Sequence, residues 1–444
     1  RTKTLSESFS PIDLLVTNGR FLTMDPDLPW IEGGALAVSG GRITEIGPAA
    51  GFEGRPAARR LDARGGIVMP GLVNCHTHAA MTCFRGLADD LPLETWLNEH
   101  IFPAEARLDA ERVYWGTMLA CAEMIRSGTT CFCDMYLFEA SVARAAKEAG
   151  IRAVVGEVLY DFPSPNYGTI ENGFAYTRDM AVRWKDDPLI SVAVEPHSPY
   201  LCSAALLEEA AGISEEAGLL LVVHLAETRI ERERSLAERG LTPVGYLAEL
   251  GILSGRLLAC HCVWLDDADI EILRAFDVKV AHNPESNMKL ASGIAPVPEM
   301  LAAGVCVGLG TDGCASNNDL DLFAEMDTAA KLHKVHTLDP TVLAAEQVLK
   351  MATVDGARAL GLGDVTGSLT PGKRADLIVL DTRRPHWTPM YHPVSHLVYT
   401  ARRSDVVHTV IEGRVVMEEG RLSTLDAAQI GDAVSDIAGR IRRR

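Results

Sequence analysis

The chain has 444 residues, of which 47% are hydrophobic and 23% charged, a composition typical of a globular protein. Its 42 basic and 60 acidic residues give a formal net charge of −18, which disfavours nucleic acids and anionic membranes as partners, because both bind basic surfaces. The first residues, RTKTLSESFSPIDLL, lack the apolar core of a signal peptide, and no apolar run is long enough to predict a membrane span.

Short β-strands are predicted near both ends of the chain. In DLLVTNGRFLTMD and ALAVSGGRITEIG, the pairs Asn18-Gly19 and Gly40-Gly41 stand between apolar runs, which predicts two hairpins. ADLIVLD and VVHTVIEGRVVMEEG repeat this pattern of short apolar runs and turns near the C-terminus. We therefore expect one small discontinuous β-sandwich domain, built from residues 1–68 and 366–422 and followed by a helical tail at 423–444.

Strands and helices alternate in the middle of the chain, residues 69–365. Amphipathic segments such as ASVARAAKEAG and SAALLEEAAGISEEAG, the second with Ser203 placed as an N-cap, separate the predicted strands. Eight alternating units of this length predict a (β/α)₈ TIM barrel, an α/β fold. The predicted strands are GIVMPGLVN, GTTCFCDM, RAVVGEVLY, ISVAVEP, LLLVVH, LLACH, VKVAH and VCVGLGTD.

The ten cysteines stand mostly inside apolar runs, which favours reduced thiols and a cytoplasmic location. The pairs Cys131/Cys133 and Cys260/Cys262 allow a second interpretation, in which they bind a metal or carry redox chemistry. No further cysteine pair has the spacing of a zinc finger, and free cysteine is among the most buried residue types. We favour buried packing residues.

Ionisable side chains recur where the predicted strands end. A parallel barrel brings the carboxyl ends of all its strands to one rim, so these side chains should converge even though they are far apart in sequence. A single histidine at such a place is often structural, but a whole set suggests a shared site. The set is His76, His78, His197, His224, His261, His282 and Asp312.

A metal ion explains this set. His76 and His78 are two residues apart on one strand and point the same way, so both can bind one ion. His224 adds a third nitrogen and Asp312 a carboxylate oxygen. Three histidines and one aspartate suit Zn²⁺, with Fe²⁺ or Mn²⁺ as alternatives. No lysine ends the fourth strand, ISVAVEPHSPY, which favours one metal ion over a bridged pair.

The other residues fit hydrolytic chemistry. Glu227, predicted one helical turn after its strand, is a candidate general acid/base. His261 could hydrogen-bond an attacking water molecule, and Asp312 could take the proton of that water. His197 is a further ligand or a substrate contact, whereas we expect His282 to shape the rim.

Taken together, these motifs resemble the amidohydrolase superfamily and, within it, the 5′-methylthioadenosine/S-adenosylhomocysteine deaminase family. The resemblance covers about residues 10 to 420. The matching stretches are PGLVNCHTHAAMTCFRGLADDLPLETWL, IFPAEARL, EMIRSGTTCFCDMY, PHSPYLCS, VHLAET, AHCV, HNPESNMKLASGIAPV and LGTDGCASNNDLDLFAEM.

The resemblance implies zinc-dependent deamination of 5′-modified adenosines to inosines with release of ammonia. It implies that Glu227 shuttles a proton to the purine ring and that His261 lies near the attacking water. It adds Glu105, in PAEARL, as the acceptor for the ribose hydroxyls, a residue that otherwise reads as a solvated charge. The implied metal ligands are His76, His78, His224 and Asp312. The implied substrate contacts are Glu105, His197, Glu227 and Asp312.

One segment departs from the pattern of some relatives, which carry arginines after the third strand for a distal carboxylate. Here VVGEVLYDFPSPNYGTIENG holds Glu157 and no arginine, which leaves methylthioadenosine, adenosine or 5′-deoxyadenosine at least as favoured as S-adenosylhomocysteine. Alternative substrates are guanine, an oxidised purine, a pterin or a chlorinated triazine. A non-catalytic barrel scaffold is disfavoured because all four ligands are present. We expect a homo-oligomer acting on a small-molecule nucleoside.

Overall fold

Two sheets organise the protein, whose computed structural model describes residues 11–91 and 95–442. One is an eight-stranded parallel sheet that follows chain order from β6 to β13, and the other is a nine-stranded mixed sheet. The strands are β1 (Ile12–Leu22), β2 (Trp30–Ser39), β3 (Arg42–Pro48), β4 (Ala57–Asp62), β5 (Ile67–Pro70), β6 (Leu72–Thr77), β7 (Thr129–Tyr136), β8 (Arg152–Leu159), β9 (Ile190–Pro196), β10 (Leu220–Leu225), β11 (Leu257–His261), β12 (Lys279–His282), β13 (Val307–Leu309), β14 (Leu377–Leu380), β15 (Val406–Ile411), β16 (Arg414–Glu418) and β17 (Arg421–Leu422).

The parallel sheet curls into the predicted TIM barrel. Its last strand returns to its first, where the backbone N–H of Asp312 donates to the carbonyl of His76 at 3.0 Å. Helices cover its outside, and the core inside is apolar and buried. The α-helices of the described residues are Phe102–Glu105, Ala110–Arg126, Glu139–Ala149, Ile170–Trp184, Ala204–Ala217, Arg229–Arg239, Pro243–Glu249, Asp267–Ala275, Pro284–Lys289, Val297–Ala303, Leu322–Thr337, Ala345–Met351, Val354–Ala359, Pro393–Tyr399 and Ala427–Arg442.

The run GIVMPGLVN, predicted as one strand, divides at Gly71 between the two sheets. Residues Ile67–Pro70 join the mixed sheet, whereas Leu72–Thr77 form the first barrel strand. A Cβ atom at Gly71 would lie only 2.1 Å from the Thr130 side chain, so the crossing point requires glycine. The site-bearing strand therefore starts directly where the mixed sheet ends.

Strands from both ends of the chain build the mixed sheet, in the order β17-β16-β15-β14-β5-β1-β2-β3, with β4 beside β1. The central contact pairs β5 antiparallel with β14. Val16 and Leu36 share one apolar cluster with Leu377 and Val410. The expectation of a single β unit formed by the N- and C-terminal segments is confirmed.

Only one of the two predicted hairpins forms. Gly40-Gly41 joins β2 to β3 with φ values of +57° and +74°, as such a turn requires. The prediction at Asn18-Gly19 is wrong, because β1 continues through it and shows register irregularities there against β2. Asn18 has a φ of +57°, and its carbonyl accepts the N–H of Gly65 at 2.7 Å. Because β1 pairs with strands on both of its sides, the Asn18-Gly19 pair forms a bulge within the strand and not a hairpin turn.

A buried ion cluster ties the barrel to the mixed sheet. Arg152, at the start of β8, is 3% exposed. Its Nε lies 2.8 Å from Asp376 Oδ2, and its Nη2 lies 2.8 Å from Glu412 Oε2. Both acids belong to the C-terminal part of the mixed sheet, so this cluster joins the two sheets at the amino end of the barrel.

The C-terminal helix Ala427–Arg442 buries one apolar stripe. Ile430, Val434, Ile437 and Ile441 recur at helical spacing, and Ile430 packs with Met118 of the helix Ala110–Arg126. Ser203 caps its helix as predicted, accepting the N–H of Leu206. None of the helices in residues 11–91 and 95–442 combines the length and apolarity needed to cross a membrane.

Candidate active site

The predicted set of histidines meets at the carboxyl end of the barrel. His76 lies within β6, His224 near the end of β10 and His261 at the end of β11. The ring of His76 lies 4.9 Å from the rings of His78 and His224, and 5.6 Å from that of His261. Asp312 follows β13 with a φ of +58° and faces the same space. The parallel geometry thus brings together residues separated by more than half of the chain.

Two overlapping groups of side chains in the described residues are close enough to hold a metal ion. One contains His76, His78 and Asp312, and the other contains His76, His224 and His261. Neither group includes a cysteine, and all ten cysteines are free and buried, as the packing interpretation predicts. The donor set is therefore nitrogen and carboxylate oxygen, which suits zinc.

The nitrogens of His76 support a metal at this position. The side chain is fully buried, and both ring nitrogens lack a hydrogen-bond partner. Its Nε2 lies 3.5 Å from Asp312 Oδ1, while Nε2 of His78 lies 3.0 Å from the same oxygen. Burial lowers the pKa of His76 to about 4, which keeps its nitrogens free to bind a cation.

Electrostatics at Asp312 favour positive charge between these side chains. Burial opposes ionisation, yet the neighbouring His76 and His78 rings hold the pKa of Asp312 well below its usual range. Burial likewise opposes protonation of His78, but Asp312 raises the pKa of His78 to about 9. A proton on His78 neutralises the carboxylate of Asp312. A metal cation bound between the two side chains would do the same, so the residues present fit a metal ion.

Hydrogen bonds fix the orientation of the histidine rings. Nδ1 of His224 lies 2.8 Å from the carbonyl of His197, and Nδ1 of His78 contacts the carbonyl of Met135. Carbonyl oxygens only accept, so Nδ1 carries the proton and Nε2 of each ring is free to bind a metal. Nδ1 of His261 lies 2.9 Å from Oδ1 of Asn287, an acceptor that favours the proton on Nδ1 in this ring as well.

Two serines orient the Asp312 carboxylate. Oδ2 accepts hydrogen bonds from Ser286 Oγ at 2.6 Å and from Ser316 Oγ at 2.9 Å. Oδ1 is left facing His76 and His78. These serines were missed in the sequence, where they stand in HNPESN and GTDGCAS without any periodic signal.

Glu227 lies near the histidines, but it does not follow its strand by one helical turn, which the sequence had suggested. Ala226 has a φ of +51°, and the next helix begins only at Arg229. The carboxylate of Glu231 holds this segment by accepting the N–H of Ala226 at 2.9 Å and that of Glu227 at 2.8 Å. Burial raises the pKa of Glu227. Glu231 was missed, although an acid four residues after Glu227 was a visible signal.

A cavity with about 780 Å³ of empty space, part of it open to solvent, lies above the histidines. Glu105 and His197 line it, together with Glu227, His261 and Asp312. Burial raises the pKa of Glu105 to about 7, although the nearby Tyr136 hydroxyl and His78 oppose this. Burial lowers the pKa of His197 to about 3, so its ring is neutral. The predicted metal, catalytic and substrate residues therefore line one cavity, except for the fully buried His76, which contacts His78 and Asp312 beside it.

His282 is an exception to the expected rim. It is fully buried, its Nε2 lies 3.2 Å from Nε2 of His333, and it is absent from the described lining of the cavity. Glu157 is also structural, because its carboxylate accepts the N–H groups of Phe138 and Glu139, where the helix Glu139–Ala149 begins. The expectation that His282 shapes the rim is wrong, since the side chain turns to the helix Leu322–Thr337.

Comparisons with known proteins agree with this geometry. A family model described as the amidohydrolase family matches residues 67–416. A 5-methylthioadenosine/S-adenosylhomocysteine deaminase of Syntrophobacter fumaroxidans is 59% identical over 437 residues, covering 98% of this chain and 99% of its own length. A 5′-deoxyadenosine deaminase of Methanothermobacter thermautotrophicus is 45% identical, covering 96% of this chain and 98% of its own.

The structural comparison gives the same fold over nearly the whole chain. A crystal structure of an adenosine deaminase from Xanthomonas campestris with bound zinc superposes with a TM-score of 0.96 and 41% identity. The match covers 98% of this chain and 100% of that one. Motif order, barrel and site agree with these matches, and the chain belongs to the amidohydrolase family.

Proposed function

We propose that the protein catalyses zinc-dependent hydrolytic deamination of 5′-modified adenosines to the corresponding inosines, with release of ammonia. The candidate substrates are 5′-methylthioadenosine, S-adenosylhomocysteine, adenosine and 5′-deoxyadenosine. The observation that carries the proposal is the convergence of a His/Asp metal-binding group and a buried glutamate at one cavity. Relatives named as deaminases of such nucleosides, 45–59% identical to this chain, support it.

In this proposal His76, His78, His224 and Asp312 hold one Zn²⁺, with Fe²⁺ or Mn²⁺ as alternative ions. When bound, the ion lowers the pKa of a water molecule to about 7 and so supplies the nucleophile for C6 of the purine. His261, whose Nδ1 is turned to Asn287, presents Nε2 towards the same space and can hydrogen-bond that water.

Glu227 carries the proton in our proposal. Its raised pKa allows the carboxyl group to accept a proton from the water and to deliver it to a nitrogen of the purine ring. Protonation of the ring makes C6 more electrophilic, and the amino group leaves as ammonia after a second proton transfer. Glu231 holds the backbone of Glu227 and thereby fixes the side chain over the cavity.

Glu105 and His197 bind the nucleoside in this arrangement. Glu105, at the end of the helix Phe102–Glu105, accepts hydrogen bonds from the ribose hydroxyls when ionised. His197 is neutral because of its burial, and its ring lies 4.6 Å from that of His224, so it contacts the substrate beside the metal. Asp312, which lines the same cavity, is the remaining proposed substrate contact.

An ammonia-release screen of the zinc-loaded protein tests this function. We expect turnover of at least one 5′-modified adenosine and none of guanine or of a triazine. Turnover of guanine, a pterin or a triazine with no turnover of any adenosine would overturn the substrate class. Absence of all activity in metal-loaded protein would support the scaffold alternative.

We propose a cytoplasmic location and a homo-oligomeric assembly. We also propose the division of the chain into a barrel at residues 69–365 and a β domain from residues 1–68 and 366–422, with residues 423–444 as a C-terminal tail. Size-exclusion chromatography with light scattering tests the assembly, and limited proteolysis tests the division.

A further inference from the structure

Three aromatic rings form one wall of the cavity, and we call Phe102, Tyr160 and Phe162 the aromatic wall. The rings of Tyr160 and Phe162 stack at 3.8 Å with an angle of 12° between their planes. The ring of Phe102 meets that of Phe162 edge-on at 6.4 Å. Phe162 remains 41% exposed, so part of an apolar surface is available inside the cavity mouth.

The aromatic wall lies next to Glu105. Phe102 stands one turn before Glu105 on the same short helix, so both side chains project from one face. The negative charge of Glu105 also contributes to raising the pKa of Tyr160, after the larger effect of burial, which places the two side chains close together. A ligand whose sugar hydroxyls bind Glu105 therefore has the aromatic wall beside it.

The chemistry of a nucleoside decides which group reaches that wall. The 5′ carbon is bonded to C4′, the neighbour of the carbon that bears the 3′ hydroxyl. When Glu105 binds the ribose hydroxyls and the purine enters towards His76 and Glu227, the 5′ substituent is the remaining end of the molecule. It must lie near the mouth, where the aromatic wall is.

The charge of the cavity is unsuited to an amino-acid tail. Among the described residues that line it, the carboxyl groups are those of Glu105, Glu227 and Asp312, and no lysine or arginine contributes. The carboxylate of a homocysteine tail would lie against apolar rings without gaining a cation, and it would approach Glu105. A methylthio group, in contrast, gains contacts with aromatic rings, which sulfur favours.

We infer that the aromatic wall is the subsite for the 5′ substituent and that it selects adenosines with a small, uncharged, apolar 5′ group over those with a zwitterionic tail. The inference rests on the proposed deamination and sharpens it to one class of substrate. Methylthioadenosine and 5′-deoxyadenosine are then the preferred substrates, and S-adenosylhomocysteine is a poor one.

Steady-state kinetics of the zinc-loaded full chain test the subsite. The substrates are methylthioadenosine, 5′-deoxyadenosine, adenosine, S-adenosylhomocysteine and 5′-butylthioadenosine, which has a long tail without charge. We expect kcat/KM for methylthioadenosine to exceed that for S-adenosylhomocysteine about a hundredfold, with the butylthio compound close to methylthioadenosine. If the butylthio compound is as poor a substrate as S-adenosylhomocysteine, the site selects against long tails and not against charged ones. That result would overturn the inference.

The variant Phe162→Ala tests the wall itself, with Phe276→Ala as the control. Phe276 is similarly exposed, at 46%, and lies outside the described lining of the cavity. We expect Phe162→Ala to lower the ratio of kcat/KM for methylthioadenosine to that for adenosine about tenfold, and Phe276→Ala to leave it unchanged. Zinc content and circular dichroism verify folding, and Phe162→Leu should recover part of the ratio.

The outcomes separate the two proposals. An unchanged ratio in folded, zinc-loaded Phe162→Ala, or S-adenosylhomocysteine turned over as well as methylthioadenosine, overturns the aromatic subsite and leaves the deaminase function intact. Absence of ammonia release from every nucleoside, adenosine included, overturns the deaminase function and the subsite with it.

Discussion

At the scale of single residues, Glu227 gives the sharpest expectation. Replacing it by Gln keeps the size of the side chain but removes the proton carrier, so we expect kcat to fall about 10²–10⁴-fold with unchanged zinc content. Ammonia release and metal analysis of the same preparation measure both quantities. Glu233→Gln, on the exposed side of the next helix, is the matched control. Full activity of Glu227→Gln would remove Glu227 from the mechanism.

Glu105 predicts a pH dependence of substrate binding. Because burial raises its pKa to about 7, the carboxyl group is mostly protonated at pH 6 and mostly ionised at pH 8. Only the ionised form accepts hydrogen bonds from both ribose hydroxyls, so KM should fall as the pH rises through 7. In Glu105→Gln this part of the KM profile should be flat. A wild-type profile identical to that of the variant would contradict the proposed role.

At the scale of elements, the contact between β13 and β6 closes the barrel beside the metal-binding residues. A Cβ atom on Gly310 would lie 2.3 Å from Asn283 Oδ1 and 2.9 Å from the backbone N and O of His76. We expect Gly310→Ala to displace His76, to lower zinc content, and to destabilise the protein by about 1–3 kcal/mol. Metal analysis and thermal unfolding measure these effects.

Gly212 offers the matched control for that variant. It lies inside the helix Ala204–Ala217, and a Cβ atom there meets nothing within 4 Å. Gly212→Ala should stabilise the protein by about 0.5–1 kcal/mol, because alanine loses less conformational entropy in a helix. Gly310→Ala with full zinc content and an unchanged Tm would show that the closure tolerates a side chain.

The ion cluster at Arg152, which joins the barrel to the mixed sheet, predicts a contribution to the free energy of unfolding. Arg152→Met leaves Asp376 and Glu412 without their shared cation, and Asp376 is fully buried. We expect a loss of about 3–5 kcal/mol in the free energy of unfolding, measured by urea denaturation. Arg178→Met, which removes an exposed pair with Glu209, should change little. Equal denaturation midpoints for the two variants would contradict the prediction.

At the scale of the whole molecule, metal binding and stability should be linked. An ion that binds only the folded state stabilises it by about 2.7 kcal/mol when its free concentration is 100 times its Kd. Chelation should therefore lower the Tm, and added zinc should restore it. His76→Ala, which removes a ligand common to both groups, should show no response to chelator. A chelator-insensitive Tm of wild-type protein would argue against a metal in this site.

The fold and the convergence of the candidate site residues were largely predictable from the sequence, because parallel strands bring their carboxyl ends to one rim whatever lies between them. His76, His224 and Asp312 needed only that rule. The supporting side chains did not follow from it. Glu231 and Ser286 act through bonds to other residues, which no periodicity reveals.

The errors have a related cause. The Asn18-Gly19 signal describes a turn in isolation, but pairing on both sides of β1 overrides it. The aromatic wall escaped notice for a similar reason, because Phe102 and Phe162 meet only after the barrel has formed. Local patterns thus predicted which residues meet at the candidate site, whereas contacts between distant segments determine what supports and surrounds them.

The mixed sheet also sets the order in which the protein can be completed during synthesis. β5, Ile67–Pro70, pairs on one side with β1, and on the other with β14, Leu377–Leu380. A ribosome must make the entire barrel before β14 emerges, so the nascent chain carries an unpaired strand edge directly ahead of the first barrel strand. Such an edge invites pairing with other chains. The interval before the last strands leave the ribosome is therefore when this protein most needs protection from aggregation.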